Sequence, residues 1–257
     1  MHLFYRKVAL FVSPAAMTLF RFSCPASRPA PWPAAVALAL SLAAGPAPAQ
    51  SVDPARIAAS GANGAAACAT CHGGRGEGNP AANFPRLAGL GSDYLREQLD
   101  ALANGSRPNP VMAPIAAALS AEQRAALASY YAGLPAPLDA DRLAATRGAA
   151  ITPADTGAWL ANRGAWERNI PACSQCHGPG GIGVGAAFPA LAGQSAAYIA
   201  AQLRAWREGR RPPGPLALMP AVATRLSDQE IDAVAAYYGD LPKAAQDQAG
   251  QPAGGRQ

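Results

Sequence analysis

A Cys-x-x-Cys-His motif occurs twice in this chain, and it restricts the possible folds more than any other feature. The first copy consists of Cys68, Cys71 and His72, and the second of Cys173, Cys176 and His177. The whole sequence of 257 residues contains only 5 cysteines and 3 histidines. Because only Cys24 and His2 lie outside the motifs, almost all of the thiols and imidazoles belong to one repeated pattern.

Further segments match in the same order when the two motifs are aligned, which indicates an internal duplication. The matches are "NFPRLAG" (83–89) with "AFPALAG" (187–193), "YLREQL" (94–99) with "YIAAQL" (198–203), Arg107 with Arg211, Met112 with Met219, and "YY" at 130–131 with "YY" at 237–238. The pattern predicts a first domain at 52–135, a linker at 136–156 and a second domain at 157–242.

Apolar periodicity predicts helices in both copies. Residues 92–104 place Tyr94, Leu95 and Leu99 on one helix face. The sequences "SAEQ" (120–123) and "SDQE" (227–230) predict capping boxes that begin the last helix of each copy, which should end near 134–135 or 241–242. No segment alternates as a strand does, so we predict an all-α fold of two tandem domains. Residues 243–257 have little to bury and are expected to be a disordered tail.

The first 49 residues have the features of a secretory signal peptide. They contain four basic residues and no acidic one, then an apolar run at 34–44 and an Ala-x-Ala sequence ending at Ala49. The run is too short for a membrane-spanning helix, which needs about 20 apolar residues. We therefore expect cleavage near Ala49 and export to the periplasm, with translation starting at Met1 or Met17.

Removal of this segment changes the charge of the protein. The net charge of the full sequence is +5, and it falls to about +1 without the four basic residues. A nucleic-acid-binding protein needs a basic surface, so this class of function has no support.

The repeated motif is the attachment signature of haem c, in which two thiols bind the haem vinyl groups and the adjacent histidine binds iron. Zinc sites normally have four protein ligands, and each copy offers three. A thioredoxin-like pair requires a βαβ context, which is absent from the sequence. The sequence therefore predicts two covalently bound haem c groups on Cys68, Cys71, Cys173 and Cys176, with His72 and His177 as iron ligands. Such small, alanine-rich domains would also gain core volume from a large bound group.

Met112 and Met219 are the candidates for the second axial position of each iron. No histidine remains outside the motifs in the exported part, and these two methionines occupy equivalent positions. The alternative is that both fill gaps in the core. Ligation by His and Met would leave no open site on iron, which predicts electron transfer; a peroxidase or gas-binding protein would require a five-coordinate iron.

Four further residues near the motifs have two interpretations each. The carbonyl groups of Pro85 and Pro189 would accept a hydrogen bond from the histidine ring and orient it, or the prolines stiffen a loop. Arg107 and Arg211 would pair with haem propionates, or they are solvated. Trp206 and the two Tyr-Tyr pairs are expected to pack against haem or in the core between the domains, and not to have a redox role.

Together these motifs resemble the dihaem cytochrome c4 family. The resemblance rests on CxxCHG, "FPxLAG", "YxxxQL", a methionine about 40 residues after the motif, "LS" with an acidic helix, and "YY". It implies two cytochrome c domains related by a pseudo-twofold axis, a periplasmic location, peripheral association with the membrane in some members, and the ligand roles given above. The linker and the loop before Met219, "RPPGPLALMP", are longer than the family pattern.

Two functions agree with this resemblance. The first is an electron carrier between a quinol-oxidising complex, such as a cytochrome bc1 complex, and a terminal haem-copper oxidase. The second is the dihaem electron-transfer subunit of a periplasmic dehydrogenase that oxidises an alcohol, sulfide or thiosulfate. In neither is the chain itself the catalyst.

Overall fold

The computed structural model describes residues 52–146 and 150–250. The predicted signal peptide and residues 251–257 of the predicted tail lie outside these ranges. The described residues form helices, turns and four isolated β-bridges, and contain no strand. The all-α prediction is therefore confirmed. Within the same ranges, no helix is long and apolar enough to cross a membrane.

The first copy of the repeat contains five helices. They are α1 (Pro54–Ser60), α2 (Ala69–His72), α3 (Ser92–Ala103), α4 (Met112–Ala117) and α5 (Ala121–Gly133). Helix α5 begins with the predicted capping box, since the Ser120 and Gln123 side chains each accept a hydrogen bond from the other residue's backbone N–H. Helices α1 and α3 both pack on α5, and Leu95, Leu127 and Tyr131 are buried between them.

The second copy repeats this order after a connecting helix. The connection contains α6 (Ala140–Ala145), and the domain contains α7 (Thr156–Asn162), α8 (Ser174–His177), α9 (Ala196–Arg207), α10 (Leu218–Ala223) and α11 (Asp228–Gly250). Helices α7 and α9 pack on α11, where Ile231, Val234 and Tyr238 are buried. Short 3₁₀ turns precede or follow the motif helices at Pro80–Ala82, Trp166–Arg168 and Pro179–Gly181.

Two segments differ from the sequence-based expectation. Helix α11 does not end near Leu241–Pro242 but continues through Pro242 to Gly250, so the first part of the expected disordered tail is helical. Leu241 is buried in the second core, which keeps the chain helical up to the proline. In the connection, Leu143 of α6 is also buried in this core, so that part of the linker packs as an element of the second domain. The exact domain bounds stay predictions.

Candidate functional site

Each Cys-x-x-Cys-His motif forms one short helix with its histidine at the C-terminal end. Cys68 caps α2 and Cys173 caps α8. The next residue in each case is a glycine with positive φ, 82° at Gly73 and 78° at Gly178. A β-carbon at Gly178 would lie 2.7 Å from the Gly183 carbonyl oxygen. The glycine after the histidine therefore lets the chain turn back along the helix.

The two motif histidines are buried and make equivalent hydrogen bonds. His72 Nδ1 lies 2.8 Å from the Pro85 carbonyl oxygen, and His177 Nδ1 lies 2.8 Å from that of Pro189. A carbonyl oxygen only accepts, so Nδ1 carries the proton in each ring. Burial lowers the pKa of both histidines below the ordinary range. Each imidazole is therefore neutral, with an unprotonated Nε2 that is able to bind a metal.

None of the four motif cysteines is paired in a disulfide. Burial raises the pKa of Cys68 above its ordinary range and that of Cys173 to about 11. Burial therefore disfavours the thiolate form at both positions before haem is attached. In the described part of the chain, no group of three or more His, Cys, Asp or Glu side chains is arranged to hold a metal ion.

A cavity of about 700 Å³ lies beside the second motif. Its wall is mainly apolar and includes Cys173, Cys176, His177 and Met219. Its volume is within the range of about 300–1,000 Å³ that is usual for ligand and cofactor pockets. The two thiols, the metal-binding edge of one histidine and a thioether thus border one space, as covalent haem with two axial ligands requires. The donor set fits haem c.

Met112 occupies the equivalent position in the first domain. It is the first residue of α4, is half-buried, and has its backbone N–H 2.8 Å from Asn109 Oδ1. Helix α4 packs on α3, and Cys68 packs against the same core as α3. The structure therefore brings the helix of Met112 and the first motif to one core.

The loop before Met219 carries the insertion seen in the sequence. Leu216 and Ala217 both have positive φ, at 62° and 49°, and the Leu216 side chain is 87% exposed. Leu216 also borders the cavity beside the second motif. The insertion thus lengthens the outer wall of that cavity and leaves Met219 inside it.

Two arginines lie between the domains. The sequence analysis predicted that they either pair with haem propionates or are solvated. Arg107 donates to Tyr198 Oη at 3.1 Å and to Gln202 Oε1 at 2.7 Å. Arg211 of the second domain makes the equivalent bonds to the first domain: it donates to Tyr94 Oη at 3.1 Å and to Gln98 Oε1 at 2.8 Å. The reciprocal pattern is that of a pseudo-twofold axis.

The Arg211 side of this cluster borders the cavity. Arg211 is 5% exposed, its guanidinium carbon lies 3.8 Å from the Trp206 ring centroid, and both residues are part of the cavity wall. Burial alone raises the pKa of Tyr198, but the charges of Arg107 and Arg211 outweigh it and lower the pKa below its ordinary range. Arg211 is buried and Arg107 is half-buried, and Trp206 packs as expected.

Sequence reasoning missed Arg86 and Gln194, which join the two "FPxLAG" segments. The Arg86 N–H donates to Gln194 Oε1 at 2.9 Å, and Gln194 Nε2 donates to the Arg86 carbonyl oxygen at 3.0 Å. The signal in the sequence was a single charged residue within an otherwise apolar segment, with Ala190 at the matching position.

Comparison with known proteins agrees with these sites. Residues 58–134 match the family described as cytochrome c, and residues 160–237 match the family described as cytochrome c oxidase, cbb3-type, subunit III. Cytochrome c4 of Pseudomonas aeruginosa is 37% identical over 72% of this chain and 88% of its own length. The chain belongs to the dihaem cytochrome c4 family. The crystal structure of reduced cytochrome c4 from Pseudomonas stutzeri covers 67% of this cytochrome and 92% of that chain, at 34% identity and a TM-score of 0.55.

Other relatives of this cytochrome are named for a partner enzyme. A "thiosulfate dehydrogenase electron acceptor" of Stutzerimonas stutzeri is 53% identical over 75% of this chain and 88% of its own length. The structure of a thiosulfate dehydrogenase (TsdBA) from Marichromatium purpuratum matches 72% of this chain at 43% identity and a TM-score of 0.63, and this chain spans 39% of its length.

The cytochrome binds two haem c groups, one on Cys68, Cys71 and His72 and the other on Cys173, Cys176 and His177. It is an electron carrier and not itself a catalyst. These predictions from the sequence are confirmed.

Proposed function

We propose that this cytochrome accepts electrons from a thiosulfate dehydrogenase in the periplasm and delivers them to a second redox protein. The observation that carries the proposal is sequence identity. The relative named as an electron acceptor of thiosulfate dehydrogenase is 53% identical, whereas the cytochrome c4 of Pseudomonas aeruginosa is 37% identical. This difference favours the dehydrogenase hypothesis over transfer from a quinol-oxidising complex to a terminal oxidase.

The proposed iron ligands are His72 with Met112 and His177 with Met219. Haem supplies one-electron exchange between ferrous and ferric iron, and a thioether ligand favours the ferrous form. The cysteines would hold each group next to its histidine. The carbonyls of Pro85 and Pro189 accept from Nδ1 and so leave Nε2 available to bind iron. With these four residues as ligands, the protein itself would complete the coordination of each iron and leave no position for thiosulfate, which supports outer-sphere transfer.

The shared wall between the domains supports an electron relay within the chain. Leu90, Tyr94 and Gln98 of the first domain border the cavity beside the second motif. A group in that cavity would therefore contact the first domain through α3. Each domain takes one electron, and the contact provides a short route from one site to the other.

Reduction kinetics of the holoprotein test the proposed partner. We expect a purified thiosulfate dehydrogenase with thiosulfate to reduce both haems rapidly, and a cytochrome bc1 complex with quinol to do so much more slowly. Omission of thiosulfate is the control. Equal or faster reduction by the bc1 complex would reject the dehydrogenase as the preferred donor.

Methionine variants test the proposed ligands separately. In Met219→Ala, we expect one of the two haems to become high-spin and to lose its near-infrared Met-to-iron band, while the other is unchanged. Met112→Ala should affect the other haem. A low-spin spectrum that is unchanged in both variants would show that the methionines are core residues.

Mass spectrometry of the exported protein, which should begin at Gln50, tests the location.

A further inference from the structure

Arg86 is a buried guanidinium at the contact between the two domains. Its side chain is 2% exposed. Nη1 donates to the Ala88 carbonyl oxygen at 2.5 Å, and Nη2 donates to the Ala192 carbonyl oxygen at 3.1 Å. Ala88 and Ala192 are matching residues of the two "FPxLAG" segments. One side chain therefore bridges the same backbone atom in both copies of the repeat, which places its charge close to the pseudo-twofold axis.

The charge of Arg86 has no carboxylate partner among the described residues. Its hydrogen bonds go to backbone carbonyl oxygens, and its buried Nε has no partner in the described part of the protein. Burial lowers the pKa of Arg86 to about 10, so the group is still protonated at neutral pH. Placing a charge in the interior without a counter-ion is costly. A full positive charge therefore lies between the haem-binding segments.

The two haem sites are connected to the carbonyls that bind this charge by the same number of residues along the chain. Pro85 and Pro189 lie three residues before Ala88 and Ala192, and their carbonyl oxygens hold the rings of His72 and His177. The position that corresponds to Arg86 in the second copy is Ala190, which is buried against the first core. The duplicated domains therefore share a single arginine at this position for their two haem sites.

We propose that Arg86 is a positioning residue that acts on both haems, raising both reduction potentials by similar amounts and fixing the spacing of the two domains. Oxidation adds one positive charge at iron, and a buried positive charge nearby disfavours it because the interior screens charge weakly. The two bonds to matching carbonyls hold the segments that orient both histidines. The proposal depends on the haem sites and not on the identity of the electron donor.

Redox titration of three holoprotein variants tests this proposal. In Arg86→Gln, we expect both midpoint potentials to fall by similar amounts, with little change between low and high ionic strength. Arg86→Lys keeps the charge but loses the fork that reaches both carbonyls, so its potentials should be closer to those of the unmodified protein. Arg56→Gln removes an exposed charge as a matched control and should leave both potentials nearly unchanged.

Three outcomes would overturn the proposal. One is a fall in the potential of a single haem in Arg86→Gln. Another is equal potentials in Arg86→Lys and Arg86→Gln, because a purely structural role would not separate the two. The third outcome concerns Gln194→Glu, which is the variant to test if Arg86→Gln fails to retain haem. Gln194→Glu adds a negative charge next to Arg86 and should lower both potentials. Unchanged or higher potentials would contradict the electrostatic role.

Discussion

Gly76 and Gly181 occupy matching positions in the loops that follow the two motif histidines, and both lie against a tyrosine. Their φ angles are 70° and 68°. A β-carbon at Gly76 would lie 2.7 Å from the Tyr131 ring, and one at Gly181 would lie 2.5 Å from the Tyr238 ring. These glycines are needed both for their left-handed backbone and for the space they leave to the ring.

Gly181→Ala is therefore expected to destabilise the second domain by about 2–4 kcal/mol, because left-handed strain and a clash with a buried ring add. Thermal unfolding of the holoprotein measures the change. Gly209→Ala is the matched control, since Gly209 has φ 69° with no atom within 4 Å of the added carbon. It should cost about 1 kcal/mol. Equal losses in the two variants would show that the Tyr238 contact contributes nothing.

Residue-level prediction succeeded where spacing alone defines the chemistry. The two motifs and the equivalent methionines were visible because cysteine, histidine and methionine are so rare in this chain. The environment of Arg86 was not predictable, because two of its three acceptors, Ala192 and Gln194, are more than a hundred positions away. A hydrogen bond to a backbone carbonyl leaves no specific residue type in the sequence.

Helix starts were predictable from local residues, and one helix end was not. Helix α11 begins at a capping box in which the Ser227 N–H donates to Glu230 at 2.9 Å and the Glu230 N–H donates to Ser227 Oγ at 3.2 Å. These bonds involve neighbours in sequence. The continuation of α11 through Pro242 and the burial of Leu143 depend on packing against the second core, which a proline or an isolated leucine does not reveal.

The capping box of α11 should contribute stability that depends on pH. The pKa of Glu230 is lowered mainly by its bond to Arg168. The stabilisation is therefore complete above the ordinary glutamate range, about pH 4.3, and is lost as pH falls through the lowered pKa. Ser227→Ala should cost about 1 kcal/mol.

Urea unfolding of Glu230→Gln at neutral and acidic pH provides the measurement. We expect a loss of stability at neutral pH that becomes smaller in acid, because the unmodified protein then also lacks the carboxylate. Gln229→Ala, at an exposed neighbouring position, is the control and should change little. A loss of equal size at both pH values would contradict the role of the Glu230 charge.

At the scale of the whole molecule, the interface combines repeated and unrepeated contacts. The bonds of Arg107 and Arg211 repeat across the axis. The bonds between Arg86 and Gln194 do not, because the matching residues, Ala190 and Leu90, are buried in the apolar core of the first domain. The family resemblance predicted two domains about an axis, but not which residues break the symmetry.

The reciprocal arginines should couple the unfolding of the two domains. Arg107→Gln and Arg211→Gln each leave half-buried phenol and amide groups without a charged donor, at a cost of about 1–3 kcal/mol. In the double variant, we expect calorimetry to resolve two transitions where the unmodified holoprotein shows one. Arg210→Gln, which changes an exposed neighbour paired with Glu208, is the control. A single transition in the double variant would show that other contacts are sufficient.

The single arginine between Ala88 and Ala192 has a consequence for the symmetry of this protein. In a dimer of two identical subunits, every residue near the axis occurs twice, so two guanidiniums would compete for one space and repel each other. The two copies of this duplicated chain can differ at matching positions, so Arg86 in one copy corresponds to Ala190 in the other. Two domains in one polypeptide can therefore hold a single buried charge at their axis, a chemical option that a homodimer lacks.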